Sequence, residues 1–106
     1  MGDAAYIAGF IDGEGTIAFQ PRPSSKAAFK IYLGAVNTNR DVLLWIQQIT
    51  GVGGVYHTAK ETEKRKSAWR WQCCGEAALS ILEQIKDFLQ IKKPHAILAL
   101  KAGIML

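Results

Sequence analysis

The sequence holds only two cysteines, two histidines and three prolines, and its first 20 residues carry no Lys or Arg. The cysteines, Cys73 and Cys74, are adjacent. Neighbours on a strand point to opposite faces, which argues against a mutual disulfide, and a metal site would need other ligands. No apolar run approaches the ~20 residues of a membrane helix. The opening MGDAAYIAGF lacks the basic stretch of a signal peptide, and Tyr6 stands where a myristoylation pattern requires Ser or Thr. The expectation is a reduced, intracellular, soluble protein without a membrane partner. At 106 residues the chain has room for one core, so residues 1–106 are read as a single domain. An apolar fraction of 49% and a mean hydropathy of +0.04 exclude a disordered chain.

Charge is divided unevenly. The net charge is +4, yet Asp3, Asp12 and Glu14 make the first 20 residues acidic. All 13 basic residues lie beyond them. A basic body points to a polyanion, nucleic acid before membrane. Two carboxylates two residues apart in such a chain suggest a divalent metal working beside phosphates.

Hydrophobic periodicity gives the element order. Residues 4–13 read as a helix that is apolar nearly all round, hence buried on more than one side. Gly9 and Gly13 share a face at i, i+4. That face suits either a close helix–helix seam or tight packing on the chain's own sheet. Residues 16–20 alternate as a strand with Ile17 and Phe19 inward, and 28–37 alternate with Phe29, Ile31, Leu33 and Ala35 inward. A helix over 40–50, capped by Thr38 or Asn39, turns Val42, Leu43, Ile46 and Ile49 inward. Strands follow at 55–58 and 68–74, the second with Trp69, Trp71 and Cys73 on one face. A helix over 76–89 buries Ala78, Leu79, Leu82, Ile85 and Phe88 or Leu89. Pro94 opens a last helix, 94–105. The fold class is α+β, in the order αββαββα.

The segment Ile7-Ala8-Gly9-Phe10-Ile11-Asp12-Gly13-Glu14-Gly15 resembles the LAGLIDADG signature of homing endonucleases at all nine positions. The element order, the chain size and the segments Val36-Asn37-Thr38, Gly51-Val52-Gly53-Gly54-Val55-Tyr56 and Ile91-Lys92-Lys93-Pro94 extend the resemblance over essentially the whole chain. It implies a saddle-like four-stranded antiparallel sheet with helices on one face. It implies a homodimer of single-motif chains, joined along the motif helix through Ile7, Ala8, Gly9, Ile11, Asp12 and Gly13. The implied activity is Mg²⁺- or Mn²⁺-dependent hydrolysis of both strands of a long pseudo-palindromic DNA site, leaving short 3′ overhangs, in the service of an intron or other mobile element.

The same resemblance assigns roles. Glu14 is the metal-binding acid, with the Gly13 carbonyl as a further ligand; Mg²⁺ prefers oxygen ligands and retains waters. Asp12 lies ~200° around the helix from Glu14, so the two carboxylates do not share a face, and its implied role is structural. Asn37 stands where relatives order metal or water. Lys92 matches the basic residue that approaches the cleavage centre, and Lys93 is a weaker instance. Arg40 is a candidate phosphate contact.

Strand parity sorts the DNA-reading candidates. Thr16, Ala18, Gln20 and Arg22 leave the first strand on its polar side, and Ser24 and Lys26 continue into the hairpin. Lys30 and Tyr32 do so on the second strand, and Tyr56, Thr58, Arg70 and Gln72 on the third and fourth. Such a face fits the major groove, which carries the full donor and acceptor code. Lys60, Lys64, Arg65 and Lys66 suit phosphates. His57 and His95 read as structural or solvated. The rival reading is a cleavage-deficient relative that binds DNA or RNA, an intron maturase or a regulator. A third is an oligomerisation module. The chain is short for the family, whose members often continue with a further C-terminal helix that supports DNA contacts, so a minimal or truncated form is the expectation.

Overall fold

The computed structural model describes residues 2–21, 29–59 and 67–105. Arg22, Ser24, Lys26 and the basic segment 60–66 lie outside the described residues. The elements run α1 (Gly2–Glu14), β1 (Gly15–Pro21), β2 (Phe29–Asn37), α2 (Arg40–Thr50), β3 (Gly54–Ala59), β4 (Ala68–Cys74), α3 (Glu76–Ile85) and α4 (Lys93–Met105). The four strands form one antiparallel sheet in the order β1-β2-β4-β3. The α+β class and the element order are those expected from the sequence.

Period-2 alternation on a sheet covered on one side puts odd-numbered side chains of β2 and β4 under the helices. Ile31, Leu33, Ala35, Trp71 and Cys73 are accordingly buried. They meet Ile7, Ala8 and Ile11 of α1, Leu43 and Ile46 of α2, Ala78, Ile81, Leu82 and Ile85 of α3, and Ala96 and Ala99 of α4. Trp71 is fully buried, and its indole N–H donates to the Val52 carbonyl at 3.0 Å, so its one polar atom is satisfied. Burial pushes the Cys73 thiol up to about 11, with the neighbouring Cys74 adding to the shift.

Local signals explain the boundaries. Asn39 opens α2 in extended geometry, and its side-chain oxygen accepts from the Val42 N–H at 3.2 Å. Gly51 closes the helix at φ 71°, returning its N–H to the Gln47 carbonyl at 2.8 Å. Asn39→Ala will lower stability by about 1 kcal/mol. For a domain of this size that lowers the thermal midpoint by roughly 4–8 °C, measurable by circular dichroism.

Three expectations on packing differ. The helix expected over 76–89 ends at Ile85 and tightens into a 3-10 turn, Lys86–Phe88. That twist buries Leu89 and leaves Phe88 exposed. Ile49 is 45% exposed, because Leu43 and Ile46 already fill the line of α2 that meets the sheet. Phe19 is 41% exposed, since β1 is an edge strand.

Candidate functional site

α1 presents two opposite faces. Ile7, Ala8 and Ile11 lie against the chain's own sheet and helices, almost without exposure. The opposite face carries Gly2, Ala5, Tyr6, Gly9 and Gly13, all exposed. Of the residues expected at a seam, Ile7, Ala8 and Ile11 are buried in the chain's own core, whereas Gly9 and Gly13 are exposed.

Asp12 is engaged within the chain. Its Oδ2 accepts from the Gln90 N–H at 2.7 Å and its Oδ1 from the Lys92 N–H at 2.9 Å. Lys92 returns a bond, its ammonium donating to the Asp12 backbone carbonyl at 2.7 Å. The end of α1 and the segment before α4 are therefore tied reciprocally across 80 residues of chain. Desolvation raises the Asp12 carboxyl pKa, but the N–H groups of Gln90, Lys92 and Ile91 and the Lys92 charge outweigh it, holding the group below its ordinary value.

Glu14 is the last residue of α1 and is exposed. Among the described residues its carboxylate makes no hydrogen bond or ion pair. A carboxylate at a helix C-terminus opposes the helix dipole. The strand starts without a linker. A Cβ at Gly15 would come within 2.9 Å of the Ile11 backbone, so only glycine permits so abrupt a junction. Lys92 and His95 flank that junction, sharing a shallow recess with Gly15, Thr16 and Ile17. The antiparallel register pairs Gly15 with Ala35, so Asn37 at the end of β2 is level with the end of α1. Its side-chain oxygen is engaged, accepting from the Asn39 N–H at 2.7 Å. Among the described residues no three His, Cys, Asp or Glu side chains converge on a metal-sized site. One exposed carboxylate with a neighbouring carbonyl fits Mg²⁺, which commonly takes one or two carboxylates plus substrate phosphates.

The polar face of the sheet begins beside this junction. Cross-strand pairing sets Gln20 opposite Lys30, Ala18 opposite Tyr32, Thr16 opposite Gly34 and Tyr56 opposite Arg70. Gln20, Lys30, Tyr32, Tyr56 and Gln72 line one concavity with Gly53, Gly54, Cys73 and Cys74. Thr58 is exposed at a register irregularity of β3. Arg40 is placed elsewhere. Its guanidinium lies over the Trp69 ring at 4.8 Å, on the helix side of the sheet, where the His57 ring also packs against Trp69 at a tilted angle.

Three features escaped the sequence reading: the Asp12 acceptor pair, the Arg40–Trp69 contact and a hydrogen bond from the Tyr32 hydroxyl to Gln72 Oε1 at 3.3 Å. Each joins residues far apart in sequence. Only strand order and helix docking bring them together, and no local pattern signals them.

The same fold recurs in solved structures. One is the homing endonuclease I-CvuI in complex with its target, 26% identical, with a TM-score of 0.74 over 93% of this chain and 64% of that one. The chain has the fold of the LAGLIDADG homing endonucleases and carries one segment that resembles their motif. That segment occupies residues 7–15. The meganuclease I-AabMI bound to uncleaved DNA (19% identical, TM-score 0.74) matches 96% of this chain and 36% of its own. An archaeal intron-encoded homing endonuclease complexed with DNA (19% identical, TM-score 0.73) matches over 97% and 68%. These two likenesses carry the fold. The chain thus spans 64% of the length of I-CvuI. No family model matches the sequence, and no curated protein does. Among the described residues no helix is long and apolar enough to cross a membrane.

Proposed function

We propose that the chain is a site-specific DNA endonuclease that acts as a homodimer. The observation that carries this is one continuous surface. The exposed glycine face of α1 ends at the unengaged Glu14 carboxylate, and that residue adjoins a polar, partly basic sheet face. A second copy docked along α1 would bring two Glu14 residues together between two such faces. Two-fold symmetry then repeats each half-site contact, which gives a long pseudo-palindromic target.

Glu14 and the Gly13 carbonyl would hold Mg²⁺ or Mn²⁺, which polarises phosphate oxygens and lowers the pKa of an attacking water. Lys92, held at the end of α1 by the Asp12 carbonyl, supplies positive charge where a phosphorane would develop it. Asn37 stands level with the helix end to order water. The sheet face presents Thr16, Gln20, Lys30, Tyr32, Tyr56, Thr58, Arg70 and Gln72 to the major groove. Cleavage of both strands across the minor groove leaves short 3′ overhangs, a product suited to mobilising an intron.

The glycines supply an independent argument for the dimer. Gly9 and Gly13 in a helix interior each cost about 1 kcal/mol relative to alanine. A Cβ at either would meet nothing within 4 Å among the described residues. The monomer therefore gives no steric reason for them, whereas a closely approaching second helix does. Gly9→Leu will leave the monomer fold at least as stable while abolishing association, read by sedimentation equilibrium and thermal melting. A variant that still pairs as the parent does removes this seam.

The reading as a whole is tested by incubating the protein with Mg²⁺ and randomised palindromic duplexes, then sequencing the cut ends. Enrichment of one symmetric site with a uniform stagger is the expected result. A bound but uncut consensus would favour a maturase or regulator acting on DNA or RNA.

A further inference from the structure

Gln72 sits at the centre of the polar sheet face in an unusual frame. Its cross-strand neighbours are both glycines, Gly34 on β2 and Gly54 on β3. A Cβ at Gly34 would collide with the Tyr32 hydroxyl, and one at Gly54 with the Tyr56 hydroxyl. Both rings therefore lie down along their own strands, across the glycines and toward the Gln72 row. The two sides differ in bonding. The Tyr32 hydroxyl donates to Gln72 Oε1 at 3.3 Å, whereas the Tyr56 hydroxyl makes no hydrogen bond among the described residues.

This geometry bears on base reading, an inference that rests on the proposed function. A free glutamine reads adenine with both ends of its amide, accepting from N6 and donating to N7. Here Oε1 already accepts from the Tyr32 hydroxyl, which occupies one of its two lone pairs, while the amide NH₂ makes no hydrogen bond among the described residues. Guanine presents two acceptors on its major-groove edge, O6 and N7, and no donor there. We infer that Tyr32, by engaging Oε1, biases Gln72 toward reading as a donor, so that the base pair facing Gln72 is selected for guanine over adenine. Tyr32 is thus a positioning residue, and Gln72 the residue that touches the base. Burial raises the Tyr32 phenol pKa against the lowering by the Arg70 charge, so the hydroxyl keeps its proton for donation at neutral pH. The two glycines make room for the Tyr32 and Tyr56 rings on either side of Gln72.

The experiment is a binding selection on randomised duplexes with the parent, Gln72→Ala, Tyr32→Phe, Gln72→Lys and the double variant Tyr32→Phe/Gln72→Lys. The target position read by Gln72 is the one whose preference disappears in Gln72→Ala. The parent should prefer guanine to adenine there by about fivefold, the worth of one neutral hydrogen bond. Tyr32→Phe keeps the ring over Gly34, removes only the hydroxyl, and should shift that single position toward adenine. Gln72→Lys offers donors alone, so it should keep the guanine preference and be indifferent to Tyr32→Phe. Adenine preference in the parent, no position lost in Gln72→Ala, or no shift in Tyr32→Phe would overturn the inference. A protein that selects no duplex at all fails the endonuclease reading instead. In that event nitrogen-15 NMR of the free protein decides the positioning step: Tyr32→Phe should move the Gln72 side-chain amide resonances and leave those of Gln20 in place. An unmoved Gln72 amide overturns it without DNA.

Discussion

Glu14→Gln will reduce cleavage on the order of a thousandfold or more while leaving the fold, the dimer and DNA affinity in place. The side chain keeps its length and one oxygen but loses the negative charge that a hard divalent cation needs. Nothing else in the chain depends on that charge, because Glu14 is exposed and makes no bond among the described residues. The thermal midpoint should therefore barely move, within the ±0.5 kcal/mol typical of an exposed site. Removing a charge that opposes the helix dipole will, if anything, stabilise α1 slightly. The checks are a gel cleavage assay on the selected site, a binding titration on the same duplex in Ca²⁺, and a melt. Cleavage at the parent's rate would remove Glu14 from the chemistry. Parallel loss of binding and cleavage would mean that its role is structural.

The sequence discloses some of this architecture well and some hardly at all, for physical reasons that differ by element. β2 and β4 are legible because a half-covered strand alternates with period 2, and Ile31, Leu33, Ala35, Trp71 and Cys73 fall on that period. α2 is legible from its Asn39 cap and Gly51 stop. α1 resists periodicity. It is apolar nearly all round, so the pattern does not say whether Ile7, Ala8 and Ile11 or Gly9 and Gly13 meet the sheet. The structure resolves the ambiguity by size: the branched side chains fill the monomer core, and the glycines face out. The position of Glu14 follows from the motif, but its isolation does not. That requires knowing that Lys92 has turned to the Asp12 carbonyl. Likewise Tyr32 and Gln72 were each placed on the polar face by parity. Their hydrogen bond depends on β4 lying beside β2, a matter of strand order that alternation does not encode.

Asp12→Asn will loosen the tie between α1 and the segment before α4, with a signature in both stability and catalysis. The carboxylate uses both oxygens, one for Gln90 N–H and one for Lys92 N–H. Asparagine keeps one acceptor and turns an NH₂ toward the other donor, so one charge-assisted bond is lost and a donor faces a donor. The site is partly exposed, so water recovers some of the loss, and the expected cost is about 1–2 kcal/mol at neutral pH. The pH dependence follows from the sign of the shift. The folded-state carboxyl is held below its ordinary value of 3.8, so its contribution is fully present above that value. It declines as pH falls through the lower, folded-state pKa. Chemical denaturation in metal-free buffer should therefore show the parent more stable than Asp12→Asn at pH 7, with the gap narrowing below about pH 4. A gap equal at pH 7 and pH 3 would assign the loss to packing instead. Freed of its tether, the segment would hold the Lys92 ammonium less firmly at the end of α1. Cleavage should then fall by roughly tenfold, a fraction of the effect of removing a group that contacts the reacting phosphate directly. Affinity for the uncleaved duplex should change little, since Asp12 lies on neither the sheet face nor the exposed glycine face. Unchanged cleavage in a variant that has lost the expected stability would show that Lys92 finds its place without Asp12.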